Sequence, residues 1–291
     1  MKPRRWRRRL LWAVVLLVAA TAIAWIAGAL RWQDRQHELR SGLFQFRHEP
    51  APAAYAEREL DLLPASVQRF FGAVLTPGQQ LVAEVRLHHR GTMNLAAEAQ
   101  GDSWVPFTSS QWVMMQRPAF VWNATVTMWG LLPVRVADAY VRREGISEAA
   151  LWGLVPLGGQ RGRGLVATAQ LQRFLAEAAW YPTALLPSQG VQWRAAGERA
   201  AVATLRDGEA VATLSFTFDE HGRIDRVHAD ARGRRVGDAL VPTPWTGRFW
   251  DYAERGGMQV PQQAEVAWVL PGGERPYWRG RIEAIDFQWA R

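Results

Sequence analysis

The sequence predicts a mainly β fold of the α+β class, in which an N-terminal transmembrane helix precedes a curved antiparallel β meander with helices packed on its apolar face. Three observations lead to this prediction. Residues 10–30 carry no charge, polar and apolar residues alternate through much of the chain after residue 80, and short turns containing Gly or Pro join the alternating segments. Such a pattern is typical of an antiparallel sheet that curls into a half-barrel around one apolar face.

The N-terminal stretch LLWAVVLLVAATAIAWIAGAL, residues 10–30, has Thr21 as its only polar side chain. At about 1.5 Å per residue, a helix of this length crosses the roughly 30 Å hydrocarbon core of a bilayer. Six basic residues and no acidic residue precede the stretch. Because positive charge is retained on the cytoplasmic side, the sequence predicts a cytoplasmic N-terminus and an exported C-terminal part.

A cleaved signal peptide is the alternative interpretation of this stretch, with Ala27, Gly28 and Ala29 as an A-x-A cleavage site. The apolar region of a signal peptide is usually about 7–15 residues long, and the greater length here favours a retained anchor. The predicted organisation is a basic cytoplasmic tail at 1–9, a transmembrane helix at 10–30, a juxtamembrane helix and linker at 31–55, and an extracytoplasmic half-barrel at 56–291.

Composition excludes several classes of site. Residues 1–30 supply +6 of the net charge of +8, and the +2 that remains on residues 31–291 lacks the basic stripe of a nucleic-acid-binding protein. Cysteine is absent and Lys2 is the only lysine, which excludes disulfides, thiolate chemistry and a catalytic lysine in the exported domain. The histidines lack metal-ligand spacing, since His88 and His89 are adjacent on a predicted strand and point to opposite faces. We therefore expect no nucleic acid, no metal and no cofactor.

A short helix is predicted ahead of the sheet, after a Pro/Ala-rich linker at residues 48–54. The segment LPASVQRFFGAVLTPG places Pro64 at the start of this helix and Pro77-Gly78 after its end. Helical spacing predicts one buried face, made of Val67, Phe70, Phe71 and Val74.

From residue 81 onward the apolar residues alternate instead. Apolar side chains occupy every second position in three segments, which predicts strands with one apolar and one solvent-exposed face. The segments are LVAEVRLHHR, AFVWNATVTMW and VRVADAYVR. Asp207-Gly208 between two alternating runs predicts a hairpin, and DEHGR and PGG predict two further turns. The glycine-rich segment GGQRGRG, residues 158–164, is predicted to be a flexible loop.

The main helix among the strands is predicted over TAQLQRFLAEAAW, residues 168–180, with Thr168 as its N-cap. Pro182 ends it, and the tail YPTALLP keeps large apolar side chains in a stretch that two prolines exclude from a central strand. Burying each such side chain stabilises a fold by about 1.5–3 kcal/mol. We therefore predict that the helix and its tail form a plug across the apolar face of the sheet.

Several segments resemble a family of uncharacterised bacterial membrane-anchored proteins of unknown function. They are LPASVQRFFGAVL, FVWNA, DAYV, LQRFLAEAAWYPTALLP, PWTGRFWDY and VPQQAEVAWVLPGGERPYWRGRI. The resemblance covers roughly residues 60–287 and implies a single pass through the bacterial inner membrane with a periplasmic domain. At the level of the fold, the predicted architecture is similar to the periplasmic lipoprotein-carrier (LolA/LolB-like) half-barrel, which holds acyl chains in an apolar cavity.

Arg173, Glu177 and Trp180 share one face of the predicted helix, opposite its apolar stripe. The first interpretation of Arg173 and Glu177, four residues apart, is an ordinary surface ion pair. The second is that they line a cavity mouth beside Trp180, where Arg173 receives an anionic head group. The predicted ligand-binding residues are Arg173, Glu177, Trp180, Tyr181, Leu185, Leu186, Trp122 and Asp138, and no catalytic residue is assigned.

Asp138 lies between Val136 and Tyr140 on the apolar face of its predicted strand. A carboxylate there needs a partner such as an arginine, so a structural buried pair is the first interpretation and catalysis the second. The chain also contains 16 tryptophans, which either fill the core of a wide sheet or line a cavity for an apolar ligand.

The leading hypothesis is a membrane-anchored extracytoplasmic half-barrel that binds a lipid or another hydrophobic ligand. An envelope interaction or scaffolding module, with a filled core and an unidentified protein partner, is the first alternative. A hydrolase that uses Asp138 or Glu177 as a base is the second. The sequence favours a non-enzymatic role, because it contains no catalytic signature.

Overall fold

The computed structural model describes residues 4–44, 53–95, 102–128, 130, 132–237 and 239–291, so most of the linker predicted at 48–54 lies outside the described residues. The described part is built around one antiparallel sheet of 13 strands. The strands are β1 (Val82–Asn94), β2 (Trp104–Met114), β3 (Ala119–Met128), β4 (Leu132–Val141), β5 (Glu144–Leu151), β6 (Val155–Gly162), β7 (Gln192–Gly197), β8 (Ala200–Asp207), β9 (Ala210–Phe218), β10 (Ile224–Val236), β11 (Ala239–Arg255), β12 (Met258–Leu270) and β13 (Gly273–Trp289).

The chain builds this sheet as two consecutive meanders. Strands β1 to β6 form the first, β7 to β13 form the second, and β13 pairs with β1 where the two meanders join. Strands β6 and β7 are the two edges, so the sheet curves but does not close. The predicted mainly β fold with a curved antiparallel meander is confirmed, including the hairpins at Asp207-Gly208 and before Gly273.

Two helices pack on the concave, apolar face of the sheet. α2 (Ala65–Val74) follows Pro64 and buries the four apolar residues that the spacing predicted. α3 (Leu165–Glu177) begins three residues earlier than predicted. Gly164, with a φ of 68°, reverses the chain direction after β6, so the helix starts at once and Thr168 lies inside it as a donor to the Gly164 carbonyl at 2.9 Å.

After α3 the chain continues as three short 3-10 turns, Ala178–Trp180, Pro182–Leu185 and Pro187–Gln189. Both prolines occupy the start of a turn, where no backbone N–H is needed. The tail is buried beneath the sheet: the exposed fractions of Trp180, Tyr181, Leu185 and Leu186 are 3%, 0%, 0% and 0%. The predicted packing of helices and tail on the apolar face is therefore confirmed.

The helix α1 (Arg4–Phe44) covers part of the outer face of the sheet, where the sequence predicted a wet surface. Trp32, Leu39 and Leu43 form a second buried cluster with residues of β2 to β5. The prediction was wrong for this region because α1 removes the outward side chains of these strands from water. They are Val121, Ala137, Ala139, Val141 and Ile146.

Polar contacts fix α1 in register on the sheet. The Trp32 indole donates to Asn123 at 2.9 Å, and Arg35 donates twice to Glu148, at 2.8 and 2.9 Å. At Gly28 the helix approaches the turn after β5 so closely that a Cβ would lie 2.1 Å from the Trp152 carbonyl oxygen. Among the described residues, α1 is the one helix that is long and apolar enough to cross a membrane.

The glycine-rich segment predicted as a flexible loop is mostly strand. Residues 158–162 belong to β6, which pairs with β5 from Gly145–Gly162 to Leu151–Val155. Glycine suits this edge strand because the Arg235 guanidinium lies against it, and a Cβ on Gly158 would be 2.1 Å from Arg235 Nη1.

Candidate functional site

A cavity of about 220 Å³, here called the inner chamber, lies between α3 and the concave face of the sheet. Strands β1, β3, β4 and β5 contribute one wall and β10 to β13 the other, while α3 closes the top. Apolar side chains predominate, with a few charged groups among them. The lining residues are Met93, Trp122, Val136, Asp138, Ser147, Arg173, Ala176, Glu177, Trp180, Arg232, Trp245, Phe249, Ala264, Val266, Tyr277 and Trp278.

Arg173 is the centre of an ion cluster on the wall of the inner chamber. Its Nε donates to Glu177 and its Nη1 to Asp138, both at 2.7 Å. The guanidinium also stacks on Trp122, 4.7 Å from the ring centroid. Burial alone would lower the pKa of Arg173, but the charges of Glu177 and Asp138 outweigh it and raise the pKa above its ordinary value. The guanidinium is therefore held in its charged form.

The cluster answers two questions that the sequence left open. The exposed fractions of the Arg173, Glu177 and Asp138 side chains are 15%, 13% and 20%, so the Arg173–Glu177 pair is not an ordinary surface pair. Asp138 has the arginine partner that its position on the apolar face requires. Glu177 is further fixed by Gln111, whose amide donates to it at 2.6 Å.

Aromatic side chains form most of the remaining wall. The rings of Trp180 and Trp278 lie 6.4 Å apart, and Trp180 meets Phe249 edge-on at 6.0 Å. Trp245 donates its indole N–H to the Tyr277 hydroxyl at 2.9 Å. By contrast, within the described residues the buried indole nitrogens of Trp122 and Trp180 have no hydrogen-bond partner. The chamber thus combines flat apolar surface with two donors whose bonding capacity is unused.

His89 is a buried residue of the site that sequence reasoning did not select. It follows Val85 and Leu87 on the inward face of β1, its ring lies 4.8 Å from that of Trp180, and it is 1% exposed. Burial, followed by the nearby charge of Arg173, lowers the pKa of His89 to about 3. Strand parity alone would have identified it as an inward side chain.

The structure brings together five of the eight predicted ligand-binding residues. Arg173, Glu177, Trp180, Trp122 and Asp138 all line the inner chamber. The other three pack in the core behind it, where the Tyr181 hydroxyl donates to the Phe174 carbonyl at 3.0 Å. They are Tyr181, Leu185 and Leu186. Ligand contact by any of the eight stays a prediction.

A second cavity of about 290 Å³, here called the outer cavity, adjoins the inner chamber. The two share the lining residues Val136, Asp138, Ser147, Arg232 and Tyr277. The outer cavity lies between the edge strand β6 and the β10–β11 hairpin, so it occupies the side on which the sheet fails to close. Its own walls are formed by Glu148, Ala149, Gly158, Gly159, Gln160, Val166, Ala169, Gln170, Gly233, Arg234, Arg235, Leu240 and Trp268.

Arg232 and Tyr277 form the partition between the two cavities. Arg232 donates to the Tyr277 hydroxyl at 3.2 Å and stacks on Trp245, 4.9 Å from the ring centroid. Its Nε is fixed by the Ala169 carbonyl of α3 at 3.2 Å. One arginine and one tyrosine thus separate the aromatic chamber from the more polar outer cavity.

The solved structures that are similar to this chain include the following two. A LolA superfamily protein from Nitrosomonas europaea is similar at 9% identity and a TM-score of 0.40, over 78% of this chain and 94% of that one. A β-barrel-like protein of the domain of unknown function DUF1849 from Brucella abortus is similar at 11% identity and a TM-score of 0.31, over 72% of this chain and 99% of that one.

A comparison with curated proteins found no match. The sequence itself matches the Family of unknown function (DUF6920) over residues 61–287, which covers the sheet except for the last two residues of β13, and both helices of its concave face. The resemblance to a family without an assigned activity is confirmed, and the chain belongs to the DUF6920 family of unknown function.

Proposed function

We propose that the protein binds a lipid or another hydrophobic ligand in the inner chamber of a membrane-anchored, extracytoplasmic half-barrel. The observation that carries this proposal is the tryptophan-lined void beneath α3. Well-packed interiors leave few voids larger than a water molecule, and here two adjoining cavities of about 220 and 290 Å³ remain beside five tryptophans. Together they fall within the range of roughly 300–1,000 Å³ that is usual for ligand pockets.

The lining of the inner chamber indicates the ligand class. The indole nitrogens of Trp122 and Trp180 have no hydrogen-bond partner among the described residues, but they are buried in the wall and do not open into the chamber. Asp138 and Glu177 share the single cation Arg173 and both accept hydrogen bonds from it, which favours a structural role for this cluster. The surface that remains for a ligand is mainly apolar and aromatic, and it suits the hydrocarbon chains of a lipid.

We further propose that α1 is a retained anchor and not a cleaved signal peptide. The predicted cleavage site at residues 27–29 lies inside a continuous helix, and Gly28 packs against the Trp152 carbonyl. The proposal keeps the expected boundaries, with the cytoplasmic tail at 1–9, the span at 10–30, the juxtamembrane segment at 31–55 and the exported domain at 56–291. Intact-mass measurement of protein from membranes tests this: a mass lacking residues 1–29 would contradict it.

Lipid binding is tested by native mass spectrometry of the full-length protein extracted from membranes in a mild detergent. We expect bound lipid on the wild type and its loss in Val266→Phe, because the larger side chain occupies the inner chamber. Val211→Phe on β9, which lines neither cavity, is the matched control and should retain the lipid. Equal lipid occupancy in the wild type and Val266→Phe would exclude the inner chamber as the binding site.

The scaffolding hypothesis predicts a filled core, which the two cavities do not favour.

The hydrolase hypothesis needs titratable groups that converge, and Asp138 and Glu177 do converge on Arg173. Both carboxylate oxygens of Glu177 accept hydrogen bonds, from Arg173 and Gln111, and Asp138 Oδ2 accepts one from Arg173, which favours a structural role over that of a general base. The measurement that separates the two roles is hydrolysis of the bound lipid, and hydrolysis unchanged in Glu177→Gln and Asp138→Asn would contradict the hydrolase hypothesis.

A further inference from the structure

We infer that the outer cavity opens toward the membrane and that its arginine-lined mouth receives the head group of an anionic lipid from the leaflet on the exported side. The inference rests on the proposed lipid-binding function and adds the direction of entry and the charge of the ligand. Two independent observations carry it: the path of α1 across the sheet, and the chemistry around the mouth.

The path of α1 orients the domain relative to the bilayer. Gly28, near the end of the apolar stretch, touches the turn after β5, and Arg35 pairs with Glu148 further along that strand. Gly42 reaches Val141, at the opposite end of the sheet, where a Cβ would lie 3.0 Å from Val141 Cγ1. Because the helix is uninterrupted, the end of the sheet that carries the turn after β5 is the end that faces the membrane.

The mouth of the outer cavity lies at this same end. β6 leaves the turn that touches Gly28, and Gly158, four residues into the strand, lies against the Arg235 guanidinium near the tip of the β10–β11 hairpin. The hairpin tip is therefore beside the membrane-facing turn.

Exposed apolar side chains border the mouth, which is unusual for a surface in contact with water alone. Val155, Leu157, Val236 and Val241 are 39–54% exposed, and we call them the apolar rim. They come from β6 and the β10–β11 hairpin, which border the outer cavity. Trp152 stands in the adjacent turn with a φ of 55°, a strained conformation for a bulky side chain. Apolar residues with a nearby tryptophan are typical of a surface that meets the lipid interface.

The charge of the outer cavity selects an anionic head group. Arg232, Arg234 and Arg235 line it, against the two carboxylates Asp138 and Glu148. Each carboxylate makes an ion pair with an arginine of another element, Asp138 with Arg173 and Glu148 with Arg35. Guanidinium groups bind phosphate through charge-assisted hydrogen bonds, so a phosphate head group fits the mouth while the acyl chains extend past Arg232 into the inner chamber.

The test reconstitutes the full-length protein in nanodiscs made of equal amounts of dioleoyl phosphatidylglycerol and dioleoyl phosphatidylcholine, followed by native mass spectrometry. We expect the wild type to retain phosphatidylglycerol over phosphatidylcholine by about tenfold. The double variant Arg234→Gln/Arg235→Gln should still retain lipid but lose the preference. The double variant Arg194→Gln/Arg199→Gln, with the same change in charge on β7 and the following turn, should keep it.

The outcomes separate this inference from the proposed function. Lipid retained without preference by the wild type, or a preference that survives in Arg234→Gln/Arg235→Gln, overturns the anionic mouth and leaves lipid binding intact. Occupancy of the wild type no greater than that of Val266→Phe overturns both. A preference lost equally in both double variants would show a general charge effect and also contradict the inference.

The direction from which lipid enters the outer cavity can be tested separately, by a fluorescent label on a single cysteine. The chain contains no cysteine, so an introduced thiol is the only site that the label modifies. A bimane label on Leu157→Cys should be quenched by nanodisc lipids that carry a nitroxide on the head group. The same label on Glu220→Cys, in the turn between β9 and β10 at the other end of the sheet, should not be quenched. Equal quenching at the two positions would contradict a membrane-facing mouth.

Discussion

At the scale of single residues, Arg173 is the group whose loss the structure makes most costly. Arg173→Met leaves Asp138 and Glu177 buried without a cation, and breaking a buried pair in this way typically costs about 3–5 kcal/mol. We expect a drop of that size in the free energy of unfolding, measured by denaturant titration in detergent. Adding Glu177→Gln to Arg173→Met should recover part of the loss, and a drop below about 1 kcal/mol would show that the cluster is solvated.

His89 makes a second prediction at this scale, which concerns pH. Its pKa is about 3 in the folded protein and ordinarily near 6.5, so between these values the unfolded chain binds a proton that the folded chain does not. Stability should therefore fall as the pH drops from 6.5 toward 3, by at most about 1.4 kcal/mol per pH unit from this group. Thermal unfolding of His89→Gln should show a shallower pH dependence than that of the wild type, and an unchanged pH dependence would contradict the prediction.

At the scale of elements, the contact between α1 and the turn after β5 depends on the absence of a side chain at Gly28. Gly28→Val would force its Cβ into the Trp152 carbonyl and push the helix off the sheet. We expect hydrogen exchange of residues 31–44 to accelerate by about tenfold, which corresponds to about 1.4 kcal/mol of lost docking energy. Ala20→Val, on an exposed part of the same helix, is the control, and unchanged exchange in Gly28→Val would mean that the polar contacts alone hold α1.

Some of the helices and strands could be predicted from the sequence, and others could not. Alternation predicted the strands, and prolines predicted the buried tail, because both patterns follow from local backbone geometry. The docking of α1 was missed because Val121, Ala137 and Ala139 are small or β-branched residues that occupy outward positions without needing a cover. The GGQRGRG segment was assigned to a loop because glycine disfavours strands, while its pairing with β5 is a tertiary effect.

For the candidate site, the sequence predicted which residues take part better than it predicted how they are arranged in space. Arg173, Glu177 and Asp138 were selected because charged residues on apolar faces need partners, and the structure brings all three together. The void beside them was not predictable, since tryptophans in a sequence have the same pattern whether they fill a core or line a cavity. Arg232 was missed because its position depends on a break in the pairing register of β10 between Ala229 and Arg232. No local sequence pattern predicts this break.

At the scale of the whole molecule, the pairing of β1 with β13 holds the two meanders together. Removing residues 273–291 would leave β1 and β12 as unpaired edges in the middle of the sheet. We expect this truncated chain to be degraded or to aggregate in the membrane, measured as loss of a protease-resistant domain. A truncated protein that keeps the resistant domain would show that the two meanders hold together without β13.

The same pairing has a consequence for biogenesis. Along the chain β13 is the last of the strands, yet it lies at the centre of the sheet between β1 and β12. In a polypeptide that crosses the membrane from its N-terminal end, the edge of β1 that pairs with β13 therefore stays unpaired until nearly the whole domain has emerged. In the proposed topology, α1 holds the growing domain at the site of translocation during this interval, and we expect a periplasmic chaperone that binds unpaired strand edges to act there.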